Sequence, residues 1–331
     1  MATPTGSTHA SRRRALVADV LLFSVAIFWG SNFVLIKDAV ERTSVIAGGS
    51  IVAGTMLYLF WRYLFATAVF CAARPKAWLG ARRRDWGMGG LLAAFYLSAL
   101  IVQTVALQRT SPGVSGFITA LSVAMVPFLY WAVARRSPGP WQIVGAVVAT
   151  AGLAALSLQG DFSIRWGDAL TLLGSFLYAL HILGTGFFAP KMQPSTLAAT
   201  QMVVSAAAMV VLTPLLGTVT AGLPWQVWAV VVWTALSGTI YAFFIQSWAQ
   251  RYTTSTHAAI LLGFESVFAA LTGIIVGMDQ VTWRLLVGGS LMLTGVFIVE
   301  LLPSGKGIVQ EIEAEEGAGR DAGPTGAKER R

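Results

Sequence analysis

Long apolar stretches, separated by short links rich in arginine, proline and glycine, recur along the whole chain. A helix that crosses a bilayer needs about 20 mostly apolar residues, and hydrocarbon offers no water to satisfy a backbone N–H or C=O outside a helix. The pattern predicts an all-α integral membrane protein with ten transmembrane helices, near 18–37, 52–72, 86–107, 113–133, 141–158, 166–187, 197–215, 226–248, 256–276 and 283–301. Charged residues make up 11% of the chain, against about 25% in soluble domains, which leaves too little polar surface to dissolve it. Residues 45–73 are too long for one upright span and contain Gly48, Gly49 and Ser50, so a tilted helix or an ordered outer segment is expected there.

The arginines set the expected orientation. With both termini in the cytoplasm, Arg12, Arg13, Arg14, Arg74, Lys76, Arg82, Arg83, Arg84, Arg135, Arg136, Lys191 and Arg251 fall inside, against Arg42, Arg109, Arg165 and Arg284 outside. A bacterial inner membrane is the expected location, and anionic headgroups account for the net charge of +8. The basic residues flank apolar runs, so no nucleic-acid partner is expected; the expected partners are the lipid bilayer and a small-molecule substrate. A homodimer is compatible with this architecture. The first apolar stretch holds Trp29, Gly30, Ser31 and Asn32 and lacks a small-residue cleavage pattern, so it reads as a helix of the mature protein. Residues 1–17 and 303–331 read as disordered cytoplasmic tails, with Glu311, Glu313, Glu315 and Glu316 a solvated acidic run.

An internal repeat organises the spans. Gln108-Arg109 is followed by an apolar helix, a polar turn and Trp141; Gln250-Arg251 is followed, at the same interval, by Trp283. Behind each tryptophan come identically spaced glycines, Gly145 and Gly152 in one half, Gly288 and Gly295 in the other, which are expected to permit close helix packing. Upstream, Trp29 to Asn32 corresponds to Tyr178 to His181. The halves are placed at 18–158 and 159–302, five helices each. Repeats with an odd number of helices enter the membrane from opposite sides, and such inverted repeats hold substrate at the midplane between them.

The run Phe28 to Lys37, Arg62 in the second span, Gln103 before the Gln108-Arg109 turn, and Gly263 to Ala270 resemble the EamA-type transporters of the drug/metabolite transporter superfamily. The resemblance covers residues 18–302 and implies ten helices, two EamA repeats and export or exchange of metabolites, amino acids or drugs. Family members carry a Gly-Glu pair after the fourth and ninth helices; this chain has Ala134-Arg135-Arg136 and Gly277-Met278-Asp279, where Asp279 alone, shifted by one, can stand in. The link between the first two helices is also longer than in the family.

Ionisable side chains at mid-bilayer cost about 2.5–3.5 kcal/mol on insertion scales, so they should face a protein interior or a wet cavity. Glu265 is the carboxylate placed mid-helix, a candidate for protons or a cationic group or for a structural bond to a neighbouring helix; Asp19, Asp168 and Glu300 fall near helix ends, where headgroups and water solvate them. Arg62 needs a partner or a route to water: a bridge to Glu265, snorkelling, or an anionic substrate. Lys37 reads more readily as an interface anchor than as a substrate contact. Asn32, the chain's single asparagine, suits a zwitterionic or hydroxylated cargo or an interhelical bond, and His181 occupies the corresponding place in the second half. Trp29, Tyr96, Gln103, Tyr178, Tyr241 and Gln246 combine polar tips with, in four cases, aromatic surface, as a midplane pocket requires.

No cofactor or metal is expected. Cys71 is the single cysteine, Gly305-Lys306-Gly307 lacks the spacing and hydroxyl of a phosphate loop, and neither H-E-x-x-H nor G-x-S-x-G occurs. The leading reading is therefore not an enzyme but a secondary transporter working by alternating access. A membrane-embedded enzyme acting on lipid-linked substrates and a non-transporting receptor or assembly partner remain as alternatives. In a Cys71→Ser background, cysteines introduced at Arg109 and Arg251 should label from opposite faces of the membrane; labelling from one face would sink the two-half architecture.

Overall fold

The computed structural model describes residues 6–135, 139–157, 165–252, 258 and 261–302. Those residues are helical apart from short turns and links. The helices are α1 (Gly6–Ile46), α2 (Ile51–Ala73), the short α3 (Pro75–Leu79), α4 (Arg83–Leu107), α5 (Pro112–Ala134), α6 (Pro140–Ser157), α7 (Trp166–Phe188), α8 (Pro194–Leu216), α9 (Trp225–Thr234), α10 (Ala242–Ala249), α11 (Glu265–Ile275) and α12 (Trp283–Leu301). A π-helical segment, Ala235–Tyr241, joins α9 to α10. Among the described residues seven helices are long and apolar enough to cross a membrane, the united α9–α10 stretch among them, and Pro140–Leu156, Leu261–Ile275 and Trp283–Ile298 are shorter apolar helices.

Two expectations for the N-terminal region change. Residues 6–17, expected to be part of a disordered tail, belong to α1, because alanine and arginine extend an already nucleated helix at little cost. Residues 1–5 and 303–331 lie outside the described residues. At its other end α1 continues to Ile46, so the long link to α2 is mostly helix closed by a tight turn. Gly48 and Gly49 supply left-handed backbone at φ 75° and 86°, and Ser50 caps α2 by accepting from Ala53 N at 3.2 Å. The apolar part of α1, Leu16–Ile46, is 31 residues, about 46 Å at 1.5 Å per residue, longer than a roughly 30 Å hydrocarbon core.

The outside of the bundle is oily and the inside holds the polar groups. Ile275, Trp225, Leu215 and Val147 are exposed, whereas Asn32, Arg62, Gln103, His181, Gln201 and Gln246 are buried. Large exposed apolar side chains around a polar interior are what a lipid-facing bundle requires.

Helix pairing follows a repeated scheme. α6 packs on α12, α5 on α11 and α2 on α8; α1 lies against α11 as α7 lies against α5. The first three pairs run antiparallel. Gly152 faces Gly288 and Met292 while Gly295 faces Gly145 and Ala149; Gly113 faces Ala270 while Gly116 faces Ser266 and Ala269. Between α2 and α8, the Thr67 hydroxyl donates to Met202 O at 3.0 Å and the Thr213 hydroxyl to Met56 O at 3.4 Å.

The α6–α12 seam depends on missing side chains. A Cβ on Gly152 would come within 2.6 Å of Met292 N and 2.7 Å of Gly288 O, backbone atoms that no rotamer change can move. Gly152→Ala should therefore cost about 1–3 kcal/mol, read as a lower melting temperature in detergent. Gly87→Ala, on an open face of α4 with nothing within 4 Å of the new methyl, should leave it unchanged or slightly higher. Equal behaviour of the two variants would refute the close-packed seam.

Candidate functional site

A cavity lies among α1, α2, α4, α5, α7, α10, α11 and the turn before α11. Trp29, Asn32, Arg62, Tyr96, Gln103, Tyr178, His181, Gln246 and Glu265 all line it, together with Thr104, Thr119 and Ser122. Its volume of about 60 Å³ takes a few waters, against the roughly 300 Å³ or more of ordinary small-molecule pockets. In this conformation it is narrower than the pockets that usually hold metabolites.

One wall is tied to the π-helical segment. A π-turn widens the backbone ring and leaves carbonyls free to accept from outside. Trp29 Nε1 donates to Gly238 O at 3.0 Å, Asn32 Nδ2 to Ser237 Oγ at 3.4 Å, and Arg62 Nε to Thr239 Oγ1 at 3.0 Å. Three cavity residues from two helices thus fasten to three consecutive residues. A Cβ on Gly238 would lie 2.8 Å from Asn32 Nδ2 and 2.9 Å from Arg62 Nη2, so only glycine leaves both side chains in place.

The facing wall is a chain of neutral donors and acceptors. Tyr178 OH donates to Gln103 Oε1 at 2.9 Å, Gln103 Nε2 donates to Thr119 Oγ1 at 2.6 Å, and Thr119 passes its own hydrogen to Ser115 O at 2.8 Å. His181 Nε2 pairs with Gln201 Oε1 at 2.9 Å. Tyr96 stands at the centre of an aromatic cluster, edge-on to Tyr178, His181 and Phe243 at 5.4, 5.0 and 4.7 Å between ring centroids. Such edge-to-face contacts hold bulky rings in fixed orientation.

Several placements differ from the sequence reading. Tyr241 is not on the cavity: its hydroxyl bonds Ser24 at 2.7 Å and its ring packs on Phe28. Gln246, five residues further on in α10, points to a different side of the helical stretch and lines the cavity. Glu265, expected mid-helix, is the first residue of α11, after a turn at Phe264. Arg62 and Glu265 both line the cavity, but among the described residues no ion pair joins them.

Asp168, expected to be solvated near a helix end, is buried; it accepts from the Thr110 hydroxyl at 2.7 Å and pairs with Arg165 at 2.8 Å. Lys37 donates to the Thr110 carbonyl, and Asp279 accepts from Gly113 N at 2.8 Å, at the start of α5. The α4–α5 connection therefore gathers three charged groups, two of which, Asp168 and Lys37, are expected from the sequence at water or headgroups.

Thr104, Thr119, Ser122, Thr239 and Gln201 were not singled out in the sequence. Hydroxyl residues inside apolar helices usually bond their own backbone, as Thr119 also does here, so their type carries little signal. Gln201, an amide in the middle of an apolar run, did carry one.

Comparison with known proteins is consistent along nearly the whole chain. The model of the EamA-like transporter family matches twice, at residues 16–158 and 165–301. An uncharacterized transporter of Archaeoglobus fulgidus is 28% identical over 290 residues, covering 87% of each chain. A protein of known crystal structure superposes with a TM-score of 0.63 at 15% identity, over 86% of this chain and 96% of its own, a likeness of fold alone.

The buried setting of Asp168 has a measurable consequence. Asp168→Ala leaves the Thr110 hydroxyl without its acceptor and Arg165 without its anion. A loss of about 1–3 kcal/mol is expected, read from thermal or denaturant unfolding in detergent. No change would mean that the carboxylate is solvated after all.

Proposed function

The chain belongs to the EamA-like transporter family, and from that premise we propose that it is a secondary transporter, exporting or exchanging a small polar metabolite, amino acid or drug by alternating access. It is a multi-pass membrane protein. In the proposed arrangement the three shorter apolar helices also cross the bilayer, completing ten. The halves 18–158 and 159–302 are inverted repeats, and both termini face the cytoplasm from the inner membrane.

The observation that carries this reading is the polar cavity built from both halves. Trp29, Asn32, Arg62, Tyr96 and Gln103 come from the first, and Tyr178, His181, Gln246 and Glu265 from the second. Antiparallel pairing of α2 with α8, α5 with α11 and α6 with α12 supports inversion, because counterpart helices of inverted repeats run in opposite senses. A cavity this narrow supports a state between two openings. Rocking of one half on the other would then expose it to each side in turn.

Glu265 is the proposed coupling group. It lines the cavity, and no cation among the described residues neutralises it. Cargo of positive charge or a proton would do so, and a carboxylate that must be neutralised before the walls close links transport to pH. In proteoliposomes, flux driven by an imposed pH gradient should be lost in Glu265→Gln while expression and folding stay intact. Unchanged pH dependence in that variant removes Glu265 from coupling, and no flux for any member of a broad cargo panel counts against transport itself.

A further inference from the structure

Arg62 is a cation without a counterion among the described residues. It is 2% exposed, and among the described residues no carboxylate lies within ion-pair distance of it. The titratable groups that act on it are the phenols of Tyr58, Tyr96, Tyr63 and Tyr178, which are neutral at physiological pH. Of its nitrogens, Nε donates to the neutral Thr239 hydroxyl, and Nη1 is buried without any hydrogen-bond partner. An enclosed, uncompensated charge destabilises the fold even after relaxation, and an apolar side chain of similar volume would spare it that cost. The charge is held there by the π-helical segment, with Gly238 leaving room for it.

The groups beside it are also incomplete. Asn32 Oδ1 and Gln246 Nε2, both on the same cavity, are buried and lack partners. A planar guanidinium presents paired N–H groups that match a carboxylate or a group of the same shape and charge. An anion placed there would neutralise Arg62 and take up its unused donor. Resting on the transport reading above, we propose that Arg62 is the recognition site for an anionic group of the cargo, with Gln246 Nε2 the other free donor on the cavity and Asn32 Oδ1 an acceptor left for an N–H or O–H of the same cargo. Glu265 then faces either a cationic group of the same cargo or a proton carried with it, so the cavity favours zwitterions, or organic anions moved with a proton, over simple cations.

Binding tests this without transport. Purified full-length protein in detergent is heated with a library of small carboxylates, α-amino acids included, each paired with its own primary amide. Carboxylates should raise the melting temperature where their amides do not. Arg62→Gln should remove that preference and weaken the best carboxylate roughly tenfold or more, while the empty variant melts no lower than wild type. Arg62→Lys, which keeps the charge without the fork, should retain part of the preference. Should Arg62→Gln fail to fold, Gly238→Ala, which sets a methyl against Asn32 and Arg62, should weaken carboxylates selectively.

The proposal is overturned if wild type shows no preference for carboxylates over amides, or if Arg62→Gln or Gly238→Ala retains it. Carboxylate-selective binding without flux in liposomes would refute the transport reading and leave the anion site standing. Flux of amines or neutral compounds with no carboxylate preference would do the reverse.

Discussion

Hydrocarbon supplies no hydrogen bonds, and every part of this structure answers to that. Backbone groups are satisfied within helices, and side chains that need partners turn inward to find them on helices distant in sequence. The bonds of Tyr178 to Gln103, Arg62 to Thr239 and Trp29 to Gly238 join segments about 75 to 209 residues apart. The neutral ones contribute about 0.5–1.5 kcal/mol net and the one from the Arg62 guanidinium about 1.5–3. That is enough to choose a packing and too little to lock it, so the same polar groups that specify the bundle can wall a cavity that opens.

Much of this interior was legible because a polar residue in an apolar run has few places to go. Asn32, Arg62, Gln103, His181 and Glu265 announced themselves in that way, and the structure places all five on one cavity. Legibility failed where position along a helix stood in for position in space. Asp168 and Lys37 sit near span ends, which suggested water, but the α4–α5 connection folds over them. Tyr241 failed differently: its residue type fitted a pocket, yet its angular position on the helix did not. No composition rule marks Ala235–Tyr241 as π-helical or places the turn at Phe264; the first packs against α1 and α2, and Phe264 packs on Phe23 of α1 and Phe297 of α12.

The halves share a plan but not every detail. α4 is a continuous helix of 25 residues, and its counterpart in the second half is α9, the π-turn and α10. The short α3 precedes α4. In the proposed alternating-access cycle, departures from symmetry of this kind would make the two packings unequal in free energy and give the resting state a preferred side. The glycine seam between α6 and α12 shows the opposite behaviour, with matched residues meeting across antiparallel helices at the margin of the bundle.

The wide turn at Ala235–Tyr241 also bears on how the chain can change. A π-turn accommodates one residue more than an α-turn over the same length of axis. Were the same residues to take regular α geometry with none lost, everything downstream would swing by about 100° around the axis. Gln246 would leave the hollow, and the carbonyl that receives the indole of Trp29 would turn back into its own helix. The facing of Gln246 therefore depends on this stretch staying wide, with Ser237 and Thr239 fixed by the bonds they receive and Gly238 by the room it leaves.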